Sequence, residues 1–330
     1  MDDLCTFLGI VRNPDGSLTR PTIFPLLHPR SCCHQNSSST VSVQSTDVPL
    51  NPSNNTWIRI FRPLLLSTTT TTPHLPIIIY FHGGGFVFLS ADAAPIHECC
   101  ELMACRLPSI VVSVNYRLAP EHPLPAAYAD AIDAVRWVQA QQALGSNAWM
   151  MGADFSRCFL MGSSAGGNIA YHAALLDLDL NHSSSFPALK IAGVIMDQPF
   201  FGGEQRTGSE LRLAEDKILP LQAMDVLWQL ALPGGADRDH EFCNPIRMMG
   251  GGVEVEVEVV QQLPACMVRG SEGDPLVERQ EEVVKMLGER GVDVVGRFEE
   301  QGCHGVHFFQ PHKAEAFFMD VKDFINSRSS

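Results

Sequence analysis

Positive charge is scarce in this chain: 23 Lys and Arg stand against 37 Asp and Glu among 330 residues, a formal net charge of −14. Nucleic-acid binders gain affinity by neutralising phosphates with basic side chains. A chain of this sign is therefore not expected to bind nucleic acid, and anionic membrane surfaces are disfavoured for the same reason. Long apolar runs are also missing. No stretch approaches the roughly 20 residues needed to span a bilayer, so no membrane association is expected. The opening MDDLCTFLGIVRNPDGS carries two aspartates, and it lacks the basic region and apolar core of a secretory signal. An acid-poor transit peptide fits no better, which leaves the cytoplasm, with the nucleus also accessible, as the expected compartment.

Neither CxxC nor HExxH spacing occurs, and no nucleotide or flavin motif is present, so neither a metal nor another cofactor is expected. The ten cysteines include the adjacent pairs Cys32-Cys33 and Cys99-Cys100, and others lie within hydrophobic segments such as RCFLMG and LPACMVRG. They read as buried small hydrophobes rather than a disulfide framework. What the chain does have is 45% hydrophobic and 18% charged residues, the balance of a packed globular protein. Oligomeric state is not written in the sequence, and a monomer is the default.

Apolar, β-branched runs alternate with segments of helical periodicity. Strands are expected at 56–63, 75–85, 109–118, 157–162, 191–201, 263–270 and 292–300. Helices are expected at 95–106, 125–143, from Ala165 onward, and at 276–290 and 311–327. This alternation implies a mostly parallel sheet with helices on both faces. The polar runs at 31–40 and 67–73 read as exposed loops. From Gly202 to about Gln262 only a helix at 219–232 is apparent, so 202–245 reads as an insertion above the sheet, joined by the apolar N-terminal stretch within about 1–30. One α/β domain covers 1–330 in this reading. GGGVEVEVEVV at 250–260 reads as an exposed insertion.

Gly162-Ser163-Ser164-Ala165-Gly166 matches G-x-S-x-G between an apolar strand and a helix, where small neighbours permit a strained turn that lifts the serine hydroxyl. A serine hydroxyl needs a base to remove its proton, and attack needs donors for the developing oxyanion. His82-Gly83-Gly84-Gly85 follows an upstream buried strand. The N–H groups of Gly83 and Gly84, with that of Ala165, are the expected oxyanion hole, and His82 is expected to hold the loop. In the order serine, acid, histidine, Asp274 follows one late strand and His304 the last one. Glu272 and Glu278 are alternatives for the acid. His307 competes with His304 for the base, and loop placement alone does not separate them. Phe86, Phe200, Phe201, Met224 and Trp228 are candidates to line a substrate pocket, with plain core packing an equally good account of each.

HGGGF at 82–86, YRLAPEHPLPAAYAD at 116–130, GSSAGGNIAYH at 162–172, QPFFGG with RTGSE at 198–210, LPGGADRDHEFCNP at 232–245 and GDPL at 273–276 together resemble the plant carboxylesterase family. That family lies in the hormone-sensitive-lipase-like branch of the α/β hydrolases and is related to the gibberellin receptors. The resemblance covers nearly the whole chain. It implies an α/β-hydrolase fold with a helical cap, and it favours His304, the first of an H-x-x-H pair with Pro311 beyond, as the base. It also implies hydrolysis of small acyl esters, such as acetates of alcohols, phenols or specialised metabolites. Many branch members carry an acidic residue where this chain has Ser163, and the GGGVEVEVEVV stretch is unusual for the family. Two other functions compete. A hormone receptor of this type lacks the catalytic histidine, whereas His304 is present; a dehydratase typically has threonine at the nucleophile position, where this chain has Ser164.

Overall fold

The computed structural model describes residues 2–30, 42–64, 74–145, 147–181, 189–246 and 259–328. The loops expected at 31–40 and 67–73, and nearly all of the 250–260 insertion, lie outside the described residues. A short helix α1 (Asp2–Phe7) and the two-residue strands β1 (Val11–Arg12) and β2 (Leu18–Thr19) open the chain. Among the described residues the main sheet has eight strands: β3 (Ser42–Asn51), β4 (Thr56–Leu64), β5 (Leu75–Phe81), β6 (Ile110–Asn115), β7 (Ala153–Ser163), β8 (Ile191–Asp197), β9 (Cys266–Ser271) and β10 (Val294–Glu299). Their spatial order is β10-β9-β8-β7-β5-β6-β4-β3. The pairs β3–β4 and β4–β6 are antiparallel and the rest are parallel.

All seven residues of β5 are buried, as a central strand covered on both faces requires. Its side chains alternate between two cores with the strand period of two. Ile77, Ile79 and Phe81 pack in one cluster, and Ile78 and Tyr80 in the other. Helices α3 (Ala126–Leu144), α4 (Ala165–Asn181) and α7 (Val277–Glu289) supply the first cluster; α2 (Ala94–Arg106) and α9 (Pro311–Ser327) supply the second. Between β8 and β9 lie α5 (Gly208–Arg212) and α6 (Leu221–Ala231), and α8 (Val306–Phe309) precedes α9.

Some elements differ from the sequence expectations, and the strand expected over 75–85 ends at Phe81, ahead of the glycines. Strand β3 was not anticipated, because polar residues and Pro49 interrupt its apolar pattern; it is the sheet's edge, where such residues are tolerated. Strand β7 begins at Ala153, four residues before the apolar run that advertises it. The strand expected over 191–201 ends at Asp197, because Gln198 turns the chain with a left-handed φ of 44° ahead of Pro199.

Two arginines pin the N-terminal segment to the body. Arg20 donates from Nε to the Val87 carbonyl at 2.6 Å and from Nη1 to Glu121 at 2.8 Å, and Arg59 donates to the Leu27 carbonyl at 2.7 Å.

Buried histidines give the fold an acid limit. Burial lowers the pKa of His82 to about 4 and that of His172 to about 3. The unfolded chain takes up these protons near the ordinary 6.5, so stability is complete above that pH and falls as pH drops towards the folded values. Each residue withdraws on the order of 3 kcal/mol across the window. Urea midpoints should fall steeply between pH 6.5 and 4. His172 stacks on Tyr128 with ring centroids 4.6 Å apart, and His172→Phe should make the slope shallower. A variant curve parallel to the wild type would refute this account.

Candidate active site

The sheet's carboxyl edge collects the chemistry, as open α/β sheets do at the ends of their strands. One residue, Ser164, separates β7 from α4, and it adopts φ 56°. Such a left-handed serine costs about 1–2 kcal/mol and persists only where its surroundings fix it. The flanking glycines allow the turn. A β-carbon at Gly162 would sit 2.1 Å from the Gly166 carbonyl oxygen, and one at Gly166 would sit 1.9 Å from that of Phe81. Ser164 N–H donates to the Asp197 carbonyl, and the Ser164 carbonyl accepts from Gly167 and Phe200, each at 2.9 Å.

His304 lies beyond β10 with Nε2 2.9 Å from Ser164 Oγ and Nδ1 2.9 Å from Asp274 Oδ2. Asp274, three residues past β9, is fully buried without a cation. Four donors compensate its charge. Gln198 Nε2 and Gln280 Nε2 each donate to Oδ2 at 3.0 Å beside the His304 ring, and Leu276 N–H donates to Oδ1 at 2.9 Å. Burial works against protonation of His304. The charge and hydrogen bond of Asp274, with Asp197 and Asp216 beyond, outweigh burial and hold the imidazole above its ordinary 6.5.

The competing residues are engaged elsewhere. His307 is buried with its ring stacked on Phe317, centroids 4.5 Å apart, and Nδ1 3.3 Å from Asp197; burial holds its pKa below the ordinary value. Glu278 accepts the Gly208 N–H at 2.8 Å, and Glu272 is exposed.

Gly83 abuts the serine: a β-carbon there would lie 3.3 Å from Ser164 Cβ. Ala165 is the first residue of α4, so its N–H has no intrahelical acceptor. Gly83 and Gly84 lie in the loop leaving β5. His82 holds that loop, with Nδ1 2.7 Å from the Gly83 carbonyl and its ring stacked on Tyr116 at 4.2 Å. Ser163 accepts from Tyr80 Oη at 3.2 Å.

The serine opens on a cavity of about 580 Å³. Here the expected pocket residues require correction. Phe86, Phe200, Phe201, Met224 and Trp228 do not line it; each is at most 3% exposed, and Phe200 stacks on Trp228 at 4.6 Å. On α6, Met224 and Trp228 form one i, i+4 stripe that faces the core, while Ala223 and Leu227 form the adjacent stripe that faces the cavity. Phe7, Leu8, Ile23 and Phe24 from the N-terminal segment, Ile218 and Leu219 ahead of α6, and Phe88, Leu89 and Phe308 complete the apolar wall. Among the lining residues, Asp197 and His304 are the ionisable ones, and Asp197 is paired with Arg269 at 2.8 Å. No group of metal-ligating side chains occurs among the described residues. No helix among them is long and apolar enough to cross a membrane.

The family model described as the alpha/beta hydrolase fold matches residues 78–308. A probable carboxylesterase of Arabidopsis thaliana is 46% identical over 331 residues, 98% of this chain and 94% of that one. The chain belongs to the plant carboxylesterases. A second family member, 3-O-acetylpapaveroxine carboxylesterase of Papaver somniferum, is 45% identical and covers 98% of this chain and all of its own. The fold extends well beyond the plant carboxylesterases. A hyperthermophilic esterase from Pyrobaculum calidifontis superposes with a TM-score of 0.69 at 26% identity, over 86% of this chain and 83% of its own. Sequence reasoning about this carboxylesterase missed Gln198 and Gln280. Gln198 stands in the QPFFGG stretch that carries part of the family resemblance, and that was the available signal.

Proposed function

We propose that this carboxylesterase hydrolyses small, uncharged esters through an acyl-Ser164 intermediate, with short-chain acyl esters, acetyl foremost, of alcohols, phenols or plant metabolites as substrates. The supporting observation is the continuous hydrogen-bonded relay from Ser164 through His304 to Asp274, opening on an apolar cavity. His304 Nε2 takes the hydroxyl proton as Oγ attacks the carbonyl carbon. The N–H groups of Gly83, Gly84 and Ala165 receive the oxyanion. Asp274 stabilises the imidazolium, which returns its proton to the leaving alkoxide. Water then attacks the acyl-serine by the same route, releasing the acid and restoring Ser164. This reading takes residues 1–330 as one monomeric domain with cap elements from about 1–30 and 202–245. The relative named for 3-O-acetylpapaveroxine supports acetyl esters in particular.

The purified protein should turn over p-nitrophenyl acetate, and its kcat/KM should fall as pH drops through the raised pKa of His304, at a pH above 6.5. A matched pair tests the lining. The wall offers no free cation to a substrate carboxylate, so 4-acetoxybenzoate should be hydrolysed about 100-fold less efficiently than phenyl acetate. A folded protein inert towards both phenyl acetate and p-nitrophenyl acetate would remove the esterase mechanism. Equal rates on the matched pair would remove only the preference for uncharged esters.

A further inference from the structure

We infer that Gln198 is a positioning residue of the triad, one side-chain amide that sets acid and base against each other from a turn that also holds the nucleophile. The inference rests on the mechanism proposed above. Gln198 Nε2 donates to Asp274 Oδ2 at 3.0 Å and to the Cys303 carbonyl at 3.1 Å, while Oε1 accepts the Gly305 N–H at 2.7 Å. Cys303 and Gly305 flank His304, so the amide grips the base's loop on both sides and the acid between them.

The amide has only one workable orientation. Turned by 180°, its oxygen would face the Asp274 carboxylate and the Cys303 carbonyl, and its NH2 would face the Gly305 N–H; every contact would become like against like. A residue here must therefore offer a donor and an acceptor at the same tip. Glutamate lacks the donor, and methionine has the length but neither function.

The backbone of the same turn reaches the nucleophile. Asp197 accepts the Ser164 N–H and Phe200 donates to the Ser164 carbonyl, each at 2.9 Å, while Gln198 N–H donates to the Arg269 carbonyl on β9 at 2.8 Å. Gln198 is 3% exposed and takes a left-handed φ of 44°, a conformation that a β-carbon disfavours. A strained, buried polar residue at this junction is accounted for by its bonds to the acid and to the loop of the base, within a turn whose neighbouring residues hold the nucleophile. Gln280 also donates to Asp274 Oδ2, but from α7, and its Oε1 makes no hydrogen bond among the described residues. The charged and titratable groups around His304 are Asp274, Asp197 with its partner Arg269, Asp216 and His307.

The test compares Gln198→Met and Gln198→Glu with the wild type and Ser164→Ala, using p-nitrophenyl acetate across pH. Met at 198 removes all three contacts; kcat should fall roughly 10–100-fold, the usual effect of losing a partner that orients a catalytic group, with KM within about threefold. Gln198→Glu keeps the shape and adds a negative oxygen beside Asp274. The acid limb of kcat/KM should then move up by about one pH unit, since a second negative charge holds the proton on His304. A residue that merely filled space would leave that limb in place. Should Gln198→Met fail to fold, the limb of Gln198→Glu decides alone. A Gln198→Met enzyme with kcat within twofold of wild type, together with an unmoved limb in Gln198→Glu, overturns the inference. If Ser164→Ala is as active as wild type, the mechanism fails and the inference with it; if Ser164→Ala is inactive while both Gln198 variants behave as wild type, the inference alone fails.

Discussion

Ser164→Ala is expected to lower kcat/KM for p-nitrophenyl acetate by about 10⁵- to 10⁶-fold, the scale on which removing the nucleophile of a serine–histidine pair disables it. The variant should fold normally. Among the described residues Ser164 Oγ hydrogen-bonds His304 alone, whereas the backbone bonds of the elbow, to Asp197, Gly167 and Phe200, do not involve the side chain. Alanine also inherits the strained φ of 56° without adding to it. Binding of the ester depends on the apolar wall, so KM should change little and the loss should appear in kcat. His304→Ala should cost about as much, and the double variant little more, because the two groups act as one unit. Hydrolysis above the solvent rate should remain in all three, from the oxyanion donors and the cavity. Retention of more than about 1% of wild-type activity by Ser164→Ala would rule out the acyl-serine route.

How far the sequence reaches depends on whether a feature is local. The elbow is legible because its requirements lie within five consecutive residues, between an apolar strand and a helix, and the structure gives the reason in the contacts at Gly162 and Gly166. The alternation of strands and helices is legible for the same reason. Choosing between His304 and His307 is not local. The position of His307 is explained by Phe317 on α9 and by Asp197 at the end of β8, the latter far from it in sequence. The pocket wall is harder still. Helix α6 buries Met224, Val226, Leu227, Trp228 and Leu230, so its sequence is apolar on more than one face, and only packing decides which stripe meets the cavity. Gln198 was hidden by hydrophobicity: IAGVIMDQPFF reads as one strand, and the apolar run continues past the point where the backbone turns.

Asp274→Asn is expected to reduce kcat by roughly 10³- to 10⁴-fold, and the surrounding donors indicate how. An asparagine could present its NH2 to His304 and so enforce the wrong tautomer, but here the Oδ2 position also receives Gln198 and Gln280. An NH2 placed there would face three donors. The asparagine oxygen should therefore take that position, His304 should keep its proton on Nδ1, and the loss should come from the missing negative charge opposite the imidazolium. The NH2 then faces the Leu276 N–H in a fully buried site, and the orphaned donor should cost about 1–3 kcal/mol of stability. The pH profile tests the loss of charge, which both orientations of the asparagine share. With the Asp274 charge gone, burial dominates at His304, its pKa drops, and the acid limb of kcat/KM should move to lower pH even as the plateau falls. If the limb stays where it is in the wild type, Asp274 is not the charge that holds the proton on His304, and its role in the relay would have to be given up.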